Sequence, residues 1–192
     1  MAKSQTRTES STYGDYRTWP DDERWEIIEG VPCAMTPAPT RRHQEILGRL
    51  FLQIASQLQG RTCKVYFAPF DVRLPGTSED ESDDDTVVQP DLSVICDPAK
   101  LDRKGCRGAP DFVVEVISPS TTSHDQITKS ELYERHGVRE YWIVHPADRL
   151  VFVRRQQEQG GYGAPLILEA KGTLEAEVLP GVTVNLDEVF TE

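Results

Sequence analysis

Apolar positions along the chain change period several times, and each change predicts an element. Over 43–60, Ile46, Leu47, Leu50, Ile54 and Leu58 recur at helical spacing, and Gly60 closes the run. A second helix is predicted over 126–137, ended by Gly137. "RWEIIEGVPCAM" (24–35) predicts a hairpin with Glu29–Gly30 at its turn. "CKVYFAPFDVRL" (63–74) reads as a strand pair or one bent strand. "TVVQPDLSVI" (86–95) reads as a strong strand whose Pro90 marks an edge, a bulge or a break in the ladder. Residues 96–110 are expected as a loop, 111–117 as a strand, and 118–125 as a turn rich in N-cap residues. Strands follow at 139–146 and 149–156, joined by a tight "HPAD" turn; 162–190 adds short strands and a final helical turn. The order predicts an α/β fold, a mixed β-sheet flanked by helices. Its 111–145 segment should form a right-handed parallel crossover.

A length of 192 residues suits one domain with a sizeable core. The expected division is a flexible lead-in over 1–20 and one domain over 21–192. The first twenty residues are polar, without the apolar run of a signal peptide or membrane helix, so a cytoplasmic protein with no membrane contact is expected. Of the four cysteines, Cys33, Cys63, Cys96 and Cys106, no two form a CxxC clip, and reduced thiols are expected. The net charge of −11 excludes a protein that coats nucleic acid by charge alone. Much of the acidity lies in "EDESDDD" (79–85), which reads as a solvated, mobile loop; it lacks the spaced glycine and terminal Glu of a calcium loop.

The chemistry concentrates on two strands. "FVVEVI" (112–117) is apolar except for Glu115, which alternation places on the face of Val113 and Ile117. "QPDLSVI" (89–95) carries Asp91. An unpaired acid buried on a strand costs several kcal/mol or holds a proton, so something must compensate it. A hard divalent cation is one answer, if the strands are neighbours and both acids converge on it. The other is structural: pairing with an arginine or capping a helix.

"QPDLSVI", "GAPDFVVEVISPST" and "DQITKSELYERHGVREYWIVHP" together resemble the Uma-two family of restriction endonuclease-like proteins, a branch of the PD-(D/E)XK nuclease superfamily. The likeness extends to the opening hairpin and the closing "GTLEAEVLPGVTVNLDEVF", and covers roughly 20–190. The resemblance implies a restriction endonuclease-like core with an N-terminal hairpin and C-terminal strands. It also implies a metal-dependent endonuclease acting on DNA phosphodiester bonds. Asp91 and Glu115 would hold Mg2+ or Mn2+, with Glu26 as a further ligand, and His43 would contact phosphate or the metal site. The motif lysine is missing: two residues after Glu115 stands Ile117. Lys129 is the candidate replacement, and Asp125, four residues earlier on the same helix face, would position it.

Contact with DNA must be local in so acidic a chain. Lys100, Arg103, Lys104 and Arg107, and Arg41, Arg42 and Arg49, are candidates for lining the approach, with weak, salt-dependent binding expected. Nucleases that cut both strands often act as two-fold pairs, so a homodimer is expected. Tyr141 and Trp142 read as core rather than as a base-stacking platform. The alternative function is a catalytically silent nuclease-like binding or assembly module; a third is hydrolysis of another phosphoester in a narrow closed pocket.

Overall fold

The computed structural model describes residues 10–20, 23–35, 38–117 and 123–191, with 123–126 described through their backbone. The turn expected over 118–125 therefore lies largely outside the described residues.

The chain opens with a short helix α1 (Tyr13–Tyr16), then pairs β1 (Trp25–Ile28) with β2 (Val31–Ala34) in the expected hairpin. Glu29 and Gly30 take φ of +50° and +78°. Two successive positive φ values give a tight turn whose twist matches the strands. α2 (Arg41–Leu58) follows; its N-cap Thr40 accepts from the His43 N–H at 3.2 Å, and its apolar stripe is buried. The 63–74 segment becomes β3 (Lys64–Phe67) and β4 (Val72–Arg73), which lie in different sheets. Likewise 86–95 splits at Pro90 into β5 (Val87–Val88) and β6 (Leu92–Ile95). Of the three readings of Pro90, the break is what is found: the ladder stops and the chain changes sheet.

The 96–110 stretch contains a small hairpin, β7 (Leu101–Asp102) with β8 (Gly105–Arg107), where a loop was expected. β9 (Phe112–Val116), α3 (Ser123–His136) and β10 (Glu140–His145) form the expected crossover, with β9 and β10 parallel. β11 (Leu150–Arg155), β12 (Leu166–Glu169), β13 (Thr173–Glu175), β14 (Thr183–Asn185) and α4 (Leu186–Val189) complete the chain.

One six-stranded sheet runs β2-β1-β5-β4-β8-β7, the other β12-β11-β10-β9-β6-β3, and β13-β14 make a separate ribbon. The second sheet is the centre of the molecule, and alternation sorts its two faces. Leu92, Val94, Val114, Trp142 and Val144 pack with α2, the ribbon and α4. Ile95, Val113, Tyr141 and Ile143 pack instead with Leu132 and Tyr133 of α3 and with Val72, Val88 and Cys106 of the first sheet. Trp142 and Tyr141 are core, as expected.

Three expectations are corrected. From residue 10 the chain is not a loose lead-in: Tyr13 is buried against Ile27 and Val87, and the Tyr13 N–H donates to the Asp84 carbonyl at 2.7 Å. The acidic run is not a free loop either, although Glu79, Asp80, Asp83 and Asp85 are exposed. Asp84 is buried and accepts from Arg107 at 2.9 and 3.0 Å, while Glu81 accepts from the fully buried Arg73 at 2.7 Å and also pairs with Lys104. Six like charges do not repel the segment outward, because guanidinium groups beneath it offset them. Third, Cys63 and Cys96 form a disulfide. Pairing Lys64 with Ile95 puts these two cysteines opposite each other one residue further along, a neighbourhood that sequence separation hides.

Candidate active site

β6 and β9 are antiparallel neighbours, with Leu92 opposite Val114. Continuing that register by one residue sets Asp91 opposite Glu115. The ladder ends here, and the Asp91 side chain takes over: its Oδ2 accepts from the Val116 N–H at 2.8 Å and lies 3.0 Å from His43 Nε2. Pro90 has no N–H to donate, so nothing extends the ladder past Asp91 on that side.

Glu115 is buried, and Lys129 and Tyr133 converge on its Oε1 at 3.0 and 2.9 Å. These residues are four apart on α3, so both reach the same carboxylate. Lys129 Nζ also donates to Glu26 Oε1 on β1 at 3.0 Å, and that oxygen accepts from the Gln89 N–H at 2.8 Å. The centre thus joins both sheets and α3 through a single ammonium. Behind Gln89, its side chain takes Arg24 at 2.7 Å and reaches Tyr16 and Asp71 at 3.1 and 2.9 Å.

The electrostatics follow from burial. Desolvation pushes the Glu115 carboxyl up to about 7; Lys129 pulls it down, and Asp91 and Glu26 push it further up. Burial works against the Lys129 ammonium, but the charges of Glu115 and Glu26 outweigh it and hold its pKa well above the ordinary value. Burial also opposes the His43 imidazolium, yet the bond to Asp91 leaves its pKa raised. Tyr133 is held well above the phenol range by burial and by Glu115, so it stays a donor.

Asp91, Glu115 and Lys129 are thus brought together, with His43 beside Asp91. Glu26, expected as a further metal ligand, presents its Oε1 to Lys129 and Gln89, and no described residue donates to its other oxygen. The Asp125 side chain lies outside the described residues, so the carboxylates seen to hold Lys129 are Glu26 and Glu115. Two participants were missed by sequence reasoning. Tyr133 had a usable signal, its position one helical turn after Lys129. Gln89 acts partly through its backbone, which no side-chain pattern reports. Of the seven basic residues expected at the approach, five are engaged elsewhere, while Arg41 pairs with Glu45 on its own helix and Arg103 is exposed. Arg42 donates to the carbonyls of Phe190 and Thr191 and Arg49 to those of Val189 and Thr191, Lys104 and Arg107 hold the acidic run, and Lys100 donates to the Ala109 carbonyl at 2.8 Å.

Among the described residues, no group of three or more His, Cys, Asp or Glu is arranged to hold a metal ion. The donor set still suits a hard cation. The protein donors use Asp91 Oδ2 and Glu115 Oε1, and no described residue donates to the other oxygen of either carboxylate. Two carboxylate oxygens, completed by water and substrate oxygens, match how magnesium is bound, in contrast to the all-protein cage of a calcium site.

A mixed sheet between helices, with two acids opposed on its central strands, defines a restriction endonuclease-like fold. The chain belongs to the Uma2 family, whose model, described as "Putative restriction endonuclease", matches residues 13–187. It is similar to the uncharacterized protein slr1290 of Synechocystis, at 27% identity over 183 residues, covering 92% of this chain and 89% of the relative. A crystal structure from Anabaena variabilis, described as "a putative nuclease belonging to DUF820", superposes with a TM-score of 0.74 at 20% identity, covering 93% of this chain and 97% of the other. That second likeness shows the fold.

Proposed function

We propose that the chain is a magnesium- or manganese-dependent phosphodiesterase that cleaves DNA at the Asp91–Glu115–Lys129 centre. The observation that carries this reading is the carboxylate just before β6 facing the one on β9, with the Lys129 ammonium 3.0 Å from Glu115 Oε1. Asp91 and Glu115 would hold the ion through the oxygens their protein donors leave open. Bound there, the ion supplies a Lewis acid for the scissile phosphate and acidifies an attacking water. Lys129 faces the same centre and stabilises the negative charge that develops on the phosphate. Its position on α3 replaces the motif lysine that Ile117 displaces. Glu26 holds Lys129 from the opposite sheet, Tyr133 fixes the Glu115 rotamer, and His43 orients Asp91.

A catalytically silent nuclease-like module is the second reading. One observation favours it: Lys129 already pairs with both Glu115 and Glu26 without an ion. Calorimetric titration of magnesium and manganese into wild type and Glu115→Gln separates the two. The enzyme reading expects saturable binding by wild type, none by the variant, and wild-type nicking of supercoiled plasmid that the variant lacks. Absence of metal binding by both proteins selects the silent module.

A further inference from the structure

The catalytic face of the second sheet continues past the acids. Register aligns Val113 of β9 with Ser93 of β6, and Ser93 with Tyr66 of β3, the strand at the sheet's edge. Residues opposed across a ladder share a face, so Tyr66 lies on the Glu115 side, and Ser93 stands two residues from Asp91 on that side. The Tyr66 ring stacks on Phe70, with centroids 4.3 Å apart and planes 11° from parallel. Both rings are half-buried at the rim of the core. The segment they bracket is tied to the acid centre: the Ala68 N–H donates to the Asp91 carbonyl at 3.1 Å. Phe70 is followed by Asp71, which accepts from Gln89. In the same row, the Ser93 hydroxyl is fully buried and has no partner among the described residues.

We propose that Tyr66 and Phe70 form a stacking platform for an unpaired nucleobase of the substrate, making single-stranded or locally unpaired nucleic acid the preferred substrate. The inference rests on the nuclease reading above and names its substrate class. Two physical facts point the same way. In a chain of net charge −11, Arg42, Arg49, Lys104 and Arg107 are spent on internal contacts, which leaves Arg41 and Arg103 as the exposed cations among those expected to track a duplex backbone. Aromatic faces, by contrast, bind any exposed base, and a base enters a stack only once it has left its own. A base on these rings would sit one cross-strand row from Asp91 and Glu115, which brings its phosphodiester linkage toward the carboxylates. Tyr141 and Trp142, the aromatic pair that the sequence displays most openly, are sealed in the core and take no part.

The test is binding, read in calcium so that turnover does not intrude. Fluorescence anisotropy compares one 12-nucleotide sequence as single strand and as duplex, with wild type, Tyr66→Leu and Tyr66→Phe. Wild type should bind the single strand about ten-fold more tightly than the duplex, and Tyr66→Leu should lose about ten-fold on the single strand. Tyr66→Phe keeps the ring face and should stay within about two-fold of wild type. The loss should appear in deoxy- and ribo-oligonucleotides alike, because both offer the same base faces. Melting temperatures of the variants show that each is folded, and Phe70→Leu, made separately, must reproduce the loss. Duplex binding as tight as single-strand binding overturns the proposal, as does a Tyr66→Leu protein that binds like wild type. Metal binding by wild type and Glu115→Gln is measured independently. If it fails, the nuclease reading falls; if it holds while Tyr66→Leu binds normally, only the platform falls.

Discussion

Glu115 shows how a single side chain can carry an ionisation cost into a core. Its folded-state pKa of about 7 lies above the ordinary value of 4.5, so the folded chain holds this proton more tightly than the unfolded chain does. The stability contributed by the group is therefore full below the unfolded value and is lost as pH rises through the folded one. In metal-free buffer, the unfolding free energy of wild type should fall relative to that of Glu115→Gln between about pH 5 and pH 7. The slope should be at most about 1.4 kcal/mol per pH unit. On the proposed reading magnesium would compete with the proton for the same carboxylate, so its stabilising effect should grow across this window. Denaturant unfolding at several pH values measures both, and a difference of opposite slope would refute the assignment. Buried acids alone do not mark a site. Glu140 is buried too, but it accepts from Trp142 Nε1 at 2.7 Å and the Val178 N–H at 3.0 Å, with Arg155 at 3.3 Å. Every oxygen of Glu140 is answered, which reads as structure. The sequence could single out Glu115 and Asp91, because alternation places a strand residue on a face. It could not rank Glu140 below them, since two of its three partners, Arg155 and Val178, come from β11 and the C-terminal segment.

At the scale of elements, what depended on local periodicity was readable, and what depended on pairing was not. The spacing around Leu50 gave α2 to within two residues at each end, and Glu29–Gly30 gave its turn. Pro90 announced a disruption without saying that the strand would end and resume in the other sheet. The 79–85 run was misread because composition measures net charge, whereas the fold sets the local countercharge. Arg73 and Arg107 reach that run from β4 and β8, which pair in parallel. The segment is therefore a strap over the first sheet. Asp84→Ala should destabilise the protein by about 2–3 kcal/mol. That is below the usual cost of breaking a buried pair, because the half-buried Arg107 partly rehydrates. Limited proteolysis complements the denaturation curve. Wild type should resist cleavage within 79–85, and Asp84→Ala should be cut there; rapid cleavage of wild type would return the segment to a mobile loop.

At the scale of the whole molecule, the acid centre depends on holding two sheets and α3 together, which their shared apolar core does. Lys129 joins the sheets at the centre. Within the second sheet, the Cys63–Cys96 disulfide joins β3 to β6 and closes a loop with a sequence separation of 33. That loop contains β4, β5 and the acidic strap, so the crosslink restrains the whole excursion that the chain makes into the first sheet between β3 and β6. In the chain-entropy account, a crosslink closing a loop of this length stabilises the fold by roughly 3–4 kcal/mol through the unfolded state. Cys63→Ser with Cys96→Ser, or reduction of wild type by dithiothreitol, should lower the free energy of unfolding by about that amount, with the two treatments agreeing. The denaturant slope should rise as well, because the uncrosslinked unfolded chain exposes more surface. Since Asp91 immediately precedes β6 at its other end, folded reduced protein should keep the metal affinity proposed above, as register and not the crosslink places Asp91 opposite Glu115. A reduced protein that stays folded but no longer binds the ion would show instead that the crosslink sets that register.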